Sequence, residues 1–205
     1  ERLKNVSDYL LVADRDIPNV NLAIKDAKYL NFKDLFGNDN PVYLEIGCGK
    51  GSFALAYAKK HPDRNILAVE KISNVIVAAL ESAKEAEGET GHIANLRYLN
   101  CGAEYLPFYI PSGSIAGIYL NFSCPYPKNT YAHRRLTARR FLEDYTKMLV
   151  SGGTVTQKTD NAPFFDYSLQ EYAAAGYTTL SVNYDLYAGD ISDNIPTEYE
   201  KMFYT

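Results

Sequence analysis

The sequence predicts an α/β protein with one largely parallel sheet covered by helices on both faces. Three observations predict it. Short runs of aliphatic and β-branched residues alternate with longer runs of helical period. Their order is strand, helix, strand along most of the chain, the pattern of a parallel sheet with crossover helices. The polar residues best suited to chemistry fall just after the strand runs, at the carboxyl edge where such sheets bind ligands. The 205 residues, 46% of them hydrophobic, suffice for a single domain. We read 1–205 as that domain, with residues 1–40 as an N-terminal arm and helical lead-in on or near the ligand face.

The elements follow in order. Residues 41–46 form the first strand run, and 52–60 a helix with Phe53, Ala56 and Tyr57 on one face. Residues 66–69 are a second strand, followed by a helix over 74–86 whose Val75, Ala78, Ala79 and Ser82 share a stripe. Short strands are expected at 96–99 and 115–120. A helix over 136–149 is expected to stop at Gly152-Gly153 and feed a strand at 154–158. The helix over 164–175 is closed by Gly176, after which 177–184 alternates like a further strand.

The charge balance restricts the partners. A formal net charge of −4 gives no general attraction to nucleic acid, so RNA or DNA binding requires a local basic patch. One candidate stripe is present: Lys128, Arg134, Arg135, Arg139, Arg140 and Lys147, set against Glu143 and Asp144. A solvated helix face explains the same pattern without any ligand. No run approaches the roughly 18 apolar residues of a membrane span, and no apolar leader opens the sequence. The first residue, Glu1, is not Met, so the natural start is expected upstream. Three scattered cysteines, Cys48, Cys101 and Cys124, neither frame disulfides nor match a zinc site, and no metal is expected. A reduced, cytoplasmic setting fits.

Glu45-Ile-Gly-Cys-Gly-Lys-Gly51 lies between a strand and a helix. Glycines at 47, 49 and 51 allow a sharp turn and a close approach of backbone to ligand. The G-x-G-x-G spacing is not the G-x-G-x-x-G of dinucleotide sites. Glu45, just ahead of the glycines, repels a pyrophosphate and attracts an ammonium or sulfonium. Glu70 ends the next strand, where an acid binds both hydroxyls of a ribose. A cationic nucleoside such as S-adenosylmethionine suits this pair better than NAD. Taken alone, the loop also reads as a glycine turn of any α/β protein.

Read with the residues downstream, the loop resembles motif I of Rossmann-like class I methyltransferases. Tyr119-Leu-Asn-Phe-Ser-Cys-Pro-Tyr-Pro-Lys128, Arg134-Arg-Leu-Thr137, Lys158-Thr-Asp-Asn161 and Thr197-Glu-Tyr-Glu200 occur in the order and spacing of bacterial tRNA (guanine-N7)-methyltransferases. The similarity runs from Arg2 to Phe203. It implies a mostly parallel seven-stranded sheet, with the last edge strand falling after the segment that ends at Phe203. It also implies methyl transfer from S-adenosylmethionine to N7 of a guanosine in the tRNA variable loop. The implied cofactor contacts are Glu45, Gly47, Gly49, Glu70, Gly102, Ala103 and Asn121. The implied substrate contacts are Lys128, Arg134, Arg135, Asp160, Thr197 and Glu200, with Asp160 and Cys124 at the catalytic centre. Monomer and homodimer fit equally.

N7 of guanine has an in-plane lone pair and no proton, so attack on a methyl sulfonium needs aim rather than a base. Such in-line positioning is worth about 7–11 kcal/mol. Holding the guanine by its N1–H and N2–H₂ donors calls for a carboxylate. Asp160 and Glu200 are the candidates, with Lys128 and Thr197 beside them. Local roles compete: Asp160 as the N-cap of the following helix, and Thr197 with Glu200 as a capping box. Tyr126 is placed to stack on a base, an interaction worth roughly 1–3 kcal/mol.

Three departures from the family pattern bear on activity. Cys124 opens Cys-Pro-Tyr-Pro-Lys where relatives carry Asp, and Asn129-Thr-Tyr-Ala-His133 replaces a basic run. Gly102 replaces an Asp near the adenine, leaving the Ala103 amide for N1 and the 6-amino group to another acceptor. An active enzyme is the main reading because N7 needs no base. The alternatives are a methyltransferase-like RNA-binding protein without turnover, and a methyltransferase for another RNA or a small molecule.

Overall fold

The computed structural model describes residues 8–12, 27–189 and 192–204. Its strands are β1 (Leu10–Val12), β2 (Val42–Ile46), β3 (Asn65–Val69), β4 (Leu96–Asn100), β5 (Ile115–Asn121) and β6 (Leu149–Lys158). They form one sheet in the order β1-β4-β3-β2-β5-β6, with every neighbouring pair parallel. The helices are α1 (Phe32–Phe36), α2 (Ser52–Lys60), α3 (Ser73–Thr90), α4 (Leu106–Tyr109), α5 (Arg139–Met148), α6 (Ala162–Ala174) and α7 (Glu198–Phe203).

β3 shows why the sheet has two covers. Its side chains alternate between faces, and every one is buried, so the strand is apolar nearly throughout. Ile66 and Ala68 join Phe53, Ala54 and Tyr57 of α2 and Ile76, Ala79 and Leu80 of α3. Leu67 and Val69 join Phe36 of α1, Leu106 of α4 and Phe141, Leu142 and Tyr145 of α5. On α5 the buried Phe141, Leu142, Tyr145 and Met148 recur at helical spacing, while Arg139, Arg140, Glu143 and Lys147 are exposed. Strand order reverses between β2 and β5, so the loops that follow these two strands face each other at the carboxyl edge.

Several expectations are corrected. Gly152-Gly153 does not stop the helix: α5 ends at Met148 and passes directly into β6. The two glycines lie inside β6, where Leu149 pairs with Ile115 but Thr154 with Gly117. Five residues advance against two, and Gly152 takes the φ of 78° that such a bulge favours in glycine.

Residues 177–184 form no strand, and Leu180 and Tyr184 are 80% and 77% exposed. Among the described residues β6 is the sheet edge, and 177–184 does not pair with it. Tyr177 instead packs edge-on against Tyr172, and its hydroxyl donates to the Leu142 carbonyl at 2.9 Å.

The sixth strand comes from the N-terminal arm, where Leu10–Val12 pairs with residues 98–100 of β4. The sheet has six described strands. Farther along the arm, the Lys28 and Leu30 amides donate to the Phe108 and Tyr109 carbonyls; residues 1–7 and 13–26 of the arm lie outside the described residues.

Candidate active site

Beyond β2 the chain turns through Gly47 and Gly49, at φ 81° and 57°. The Gly47 and Cys48 amides donate to the Val69 carbonyl at 2.8 and 3.0 Å, folding the loop onto the end of β3. Gly51 serves packing, since a Cβ there would lie 2.7 Å from the Tyr98 hydroxyl and 2.8 Å from the Ala79 Cβ.

Glu45 is 2% exposed. Asn121, from the end of β5, donates from Nδ2 to Glu45 Oε1 at 2.9 Å. Glu45 Oε2 and Asn121 Oδ1 are buried without a hydrogen-bond partner. Burial lifts the Glu45 carboxyl to about 8, against the pull of the Asn121 amide, the nearby Ala54 N–H and the Lys158 ammonium. These two unpartnered oxygens fit a cation that carries several N–H bonds, whose arrival favours the ionised carboxylate.

Glu70 directly follows β3, buried, with Oε2 accepting from the Gly49 amide at 3.1 Å and Oε1 from the Ile72 amide at 2.9 Å. Each oxygen keeps acceptor capacity for a hydroxyl. Asn100, at the end of β4, donates from Nδ2 to the Glu70 carbonyl at 2.7 Å, and its Oδ1 accepts from Ser73 Oγ at 3.0 Å. The ends of β3 and β4 are thereby held side by side. Gly102 and Ala103 follow at the start of a 3₁₀ turn, Ala103–Tyr105.

After β5, Phe122 and Tyr126 adopt φ of 48° and 42°, uncommon for residues with side chains. Their surroundings enforce it. The Phe122 amide donates to the Lys158 carbonyl at 2.9 Å. Arg135 donates from Nε to the Pro125 carbonyl at 2.8 Å and from Nη2 to the Tyr126 carbonyl at 3.0 Å. Its guanidinium lies 4.2 Å from the centre of the Tyr167 ring.

Arg135 is 7% exposed. Expected as a phosphate contact, it is in this structure a buried strut of the loop. Arg134, next to it, is exposed and covers the Tyr131 ring at 4.9 Å; Cys124 and Lys128 are also exposed.

The basic stripe does not form one patch. Arg139 pairs with Glu143 at 3.1 Å and Lys147 with Asp144 at 3.2 Å. The Lys147 carbonyl accepts from the Gly113 amide just ahead of β5, at the sheet end opposite the site. Lys128 and Arg134 are the stripe members beside the loop.

Asp160 lies two residues past Lys158, which pairs with Asn121 across β5 and β6. The helix cap is Asn161, whose Oδ1 accepts from the Phe164 amide at 2.9 Å. The Asp160 carboxylate is thus spared, exposed, and takes a hydrogen bond on Oδ2 from the Tyr199 hydroxyl.

Glu200 behaves oppositely and is fully buried. The capping box is complete: the Glu200 amide donates to Thr197 Oγ1 at 3.0 Å, and the Thr197 amide to Glu200 Oε2 at 2.7 Å. Lys158, Tyr187 and Asn194 also donate to this carboxylate, at 3.1–3.3 Å. Burial alone would raise the Glu200 carboxyl, but the Thr197 amide and the Lys158 cation outweigh it and hold it below its ordinary value. In this structure Thr197 and Glu200, expected as guanine contacts, brace α7. That helix is also latched to the glycine loop, with the Glu198 amide donating to Ser52 Oγ at 2.9 Å and Lys50 pairing with Glu198 at 3.0 Å.

Sequence reasoning overlooked Lys158 as the anchor of α7. The available signal was a lysine as the last residue of a strand, at the carboxyl edge of the sheet. It also overlooked Tyr199, whose contact with Asp160 crosses 39 residues and leaves no local trace.

An open parallel sheet, a glycine turn at its switch point, a buried acceptor pair suited to an ammonium and an acid placed for a ribose define a class I S-adenosylmethionine-dependent methyltransferase. A family model described as "Putative methyltransferase" matches residues 39–205. The chain is 43% identical over 178 residues to the tRNA (guanine-N(7)-)-methyltransferase of Geobacillus thermodenitrificans, covering 87% of this chain and 80% of that protein. It is 43% identical to the protein of the same name from Bacillus cytotoxicus, with 84% and 77% covered. The chain belongs to the tRNA (guanine-N7)-methyltransferase family.

Two solved structures share the fold. The 16S rRNA methyltransferase KamB aligns with a TM-score of 0.53 at 19% identity, over 73% of this chain and 75% of that one. Precorrin-6y C5,15-methyltransferase from Geobacter metallireducens aligns with a TM-score of 0.53 at 14% identity, over 83% and 79%. No described helix is long and apolar enough to cross a membrane.

Proposed function

We infer that this protein methylates N7 of a guanosine in tRNA, with S-adenosylmethionine as donor, and that the variable loop presents the guanosine. The observation that carries the reading is one of placement. The Glu45–Asn121 acceptor pair and the exposed carboxylate of Asp160 stand at the ends of adjacent strands. Residues suited to the cofactor's amino acid and a residue suited to the base are therefore neighbours.

Bound S-adenosylmethionine supplies a methyl group on a sulfonium, already electrophilic. Glu45 and Asn121 accept from the ammonium, Glu70 from the ribose hydroxyls, and the Gly47–Gly49 backbone lies against the ligand between them. Asp160 accepts from the Watson–Crick edge of guanine and so turns N7 inward. Methylation leaves the purine cationic, and a carboxylate at its edge stabilises that charge as it develops. Phe122 and Tyr126 offer aromatic faces for stacking. Lys128 and Arg134 contact phosphates, which position the RNA without reading its bases.

No group has to remove a proton, so the thiol at Cys124 is compatible with turnover. The whole of 1–205 acts as one catalytic domain, with the arm at 1–40 near the cofactor and tRNA face; Val12 opposite Asn100 at the carboxyl edge supports that path. Action on tRNA places the protein in the cytoplasm.

The test is incubation with an unmodified tRNA transcript and labelled S-adenosylmethionine, followed by mass spectrometry of the digested nucleosides. The expected product is 7-methylguanosine from the variable loop. Label in another nucleoside would point to a different substrate, and tRNA binding without label to an RNA-binding protein that lacks turnover.

A further inference from the structure

The strands β4, β3, β2 and β5 stand in line, and so do the acceptors past their ends. Glu45 and Asn121 sit over β2 and β5, Glu70 over β3, and Glu104 in the turn after β4. A nucleoside with its ammonium at the first place and its ribose at the second carries its base to the third.

At that third place one glycine and one acid fit each other. A Cβ built on Gly102 would lie 2.6 Å from Glu104 Oε2, 2.7 Å from its Cδ and 2.9 Å from Oε1. The Glu104 carboxylate therefore fills the volume that a side chain at 102 would occupy. The backbone does not demand glycine there: Gly102 has φ −76° and ψ 153°, an extended conformation open to any residue. Glycine at 102 leaves the room into which the flexible Glu104 side chain folds.

We propose that Glu104 is a specificity-determining residue of the cofactor site, accepting a hydrogen bond from the 6-amino group of the adenine. The proposal rests on the S-adenosylmethionine reading above. Glu104 has no hydrogen-bond or ion-pair partner among the described residues, so its acceptor capacity is free. A carboxylate accepts from an amino group and repels a carbonyl oxygen. The residue thus separates adenine from a 6-oxopurine, as sites built around a ligand N–H reject analogues that lack it.

The test is titration calorimetry with S-adenosylhomocysteine and its inosine counterpart, S-inosylhomocysteine. Wild type is expected to bind the adenosine form roughly 10- to 100-fold more tightly, the range of a hydrogen bond to a charged acceptor. Glu104→Ala is expected to lose affinity for the adenosine form and with it most of the preference. Glu104→Gln keeps the shape but can turn its amide donor to a 6-oxo group, so it too should lose the preference. Gly102→Asp alone should weaken binding, because two carboxylates then compete for one volume. Combining Gly102→Asp with Glu104→Ala should restore both affinity and preference.

Unchanged affinity and unchanged preference in Glu104→Ala overturn the proposal. So does a wild type that binds both nucleosides equally, which leaves the cofactor reading intact. A wild type that binds neither overturns that reading as well.

Discussion

The Tyr199 hydroxyl donates to Asp160 Oδ2 at 2.7 Å, and the Tyr199 ring lies 4.7 Å from that of Phe122. One residue of α7 thus touches both the carboxylate assigned to the guanine and the aromatic residue that follows Asn121. The hydrogen bond to Asp160, before any effect of burial, raises the Tyr199 phenol above its ordinary value. Asp160→Ala is expected to lower single-turnover methyl transfer by roughly 100-fold or more, the scale seen when an electrostatic contact to the transition state is removed. Cofactor affinity by calorimetry should stay near wild type. A loss confined to cofactor binding would move Asp160 to the donor side of the site.

Glu45 predicts a proton balance. Its carboxyl stands at about 8 in the folded protein, against an ordinary value of 4.5. With the folded value raised, its contribution to stability is complete below the ordinary value and is lost as pH rises through the folded one. An ammonium at Oε2 favours the ionised form, so cofactor binding expels a proton within that window. Calorimetry at a pH of about 6.5, in two buffers of different ionisation enthalpy, should show release of up to about one proton per S-adenosylhomocysteine bound. Glu45→Gln should abolish the release. Proton-neutral binding by wild type would mean that Glu45 engages the cofactor as an acid.

Arg134 and Arg135 should separate in their salt dependence. Arg134→Ala is expected to weaken tRNA binding and to lower the salt slope by about one unit per lost phosphate contact. Arg135→Met should leave that slope unchanged and instead lower stability by about 1–3 kcal/mol, since two loop carbonyls lose their donor. Filter binding across a salt series and chemical denaturation read the two effects. A reduced slope in the Arg135 variant would show that the guanidinium leaves its carbonyls to reach RNA.

Cys124 tests whether aim suffices. Cys48 and Cys101 are buried, with burial raising the Cys101 thiol to about 12 and the Cys48 thiol well above the ordinary range, whereas Cys124 is exposed. Cys124→Ala is expected to retain methyl transfer within a few-fold. A fall of about 100-fold or more, the scale of lost general acid–base catalysis, would give the thiol a part in the reaction.

The fold, and the placing of the proposed cofactor residues at strand ends, were largely legible in the sequence. Glu45, Gly47 and Gly49 stand within a few residues of a strand end, and Glu70 directly follows the next strand, so local pattern and the rules of parallel sheets place them. The helix at 52–60 was legible for the same reason, because its apolar stripe and the glycine ahead of it are local. The strand expected at 177–184 carried an equally plain local pattern and did not form, since a strand exists only with a partner beside it.

Within the site, local pattern and final role part company. Arg134 and Arg135 are neighbours in the chain, yet one faces solvent and the other lies under the loop against Tyr167. Thr197 and Glu200 form the capping box their spacing predicts, and the box together with Lys158 takes up the carboxylate that the family resemblance assigns to guanine. Asp160 keeps its carboxylate because Asn161 caps the helix.

Periodicity and spacings of a few residues were enough to read the α/β architecture, the turn after β2, the placing of Glu45 and Glu70 at strand ends and the family. Which charged side chains are buried or paired, and which stay exposed, came from the packing of the whole fold. That is settled by burial and by donors arriving from distant strands and helices, such as Lys158 on Glu200 or Arg135 under Pro125, and no short-range pattern encodes them.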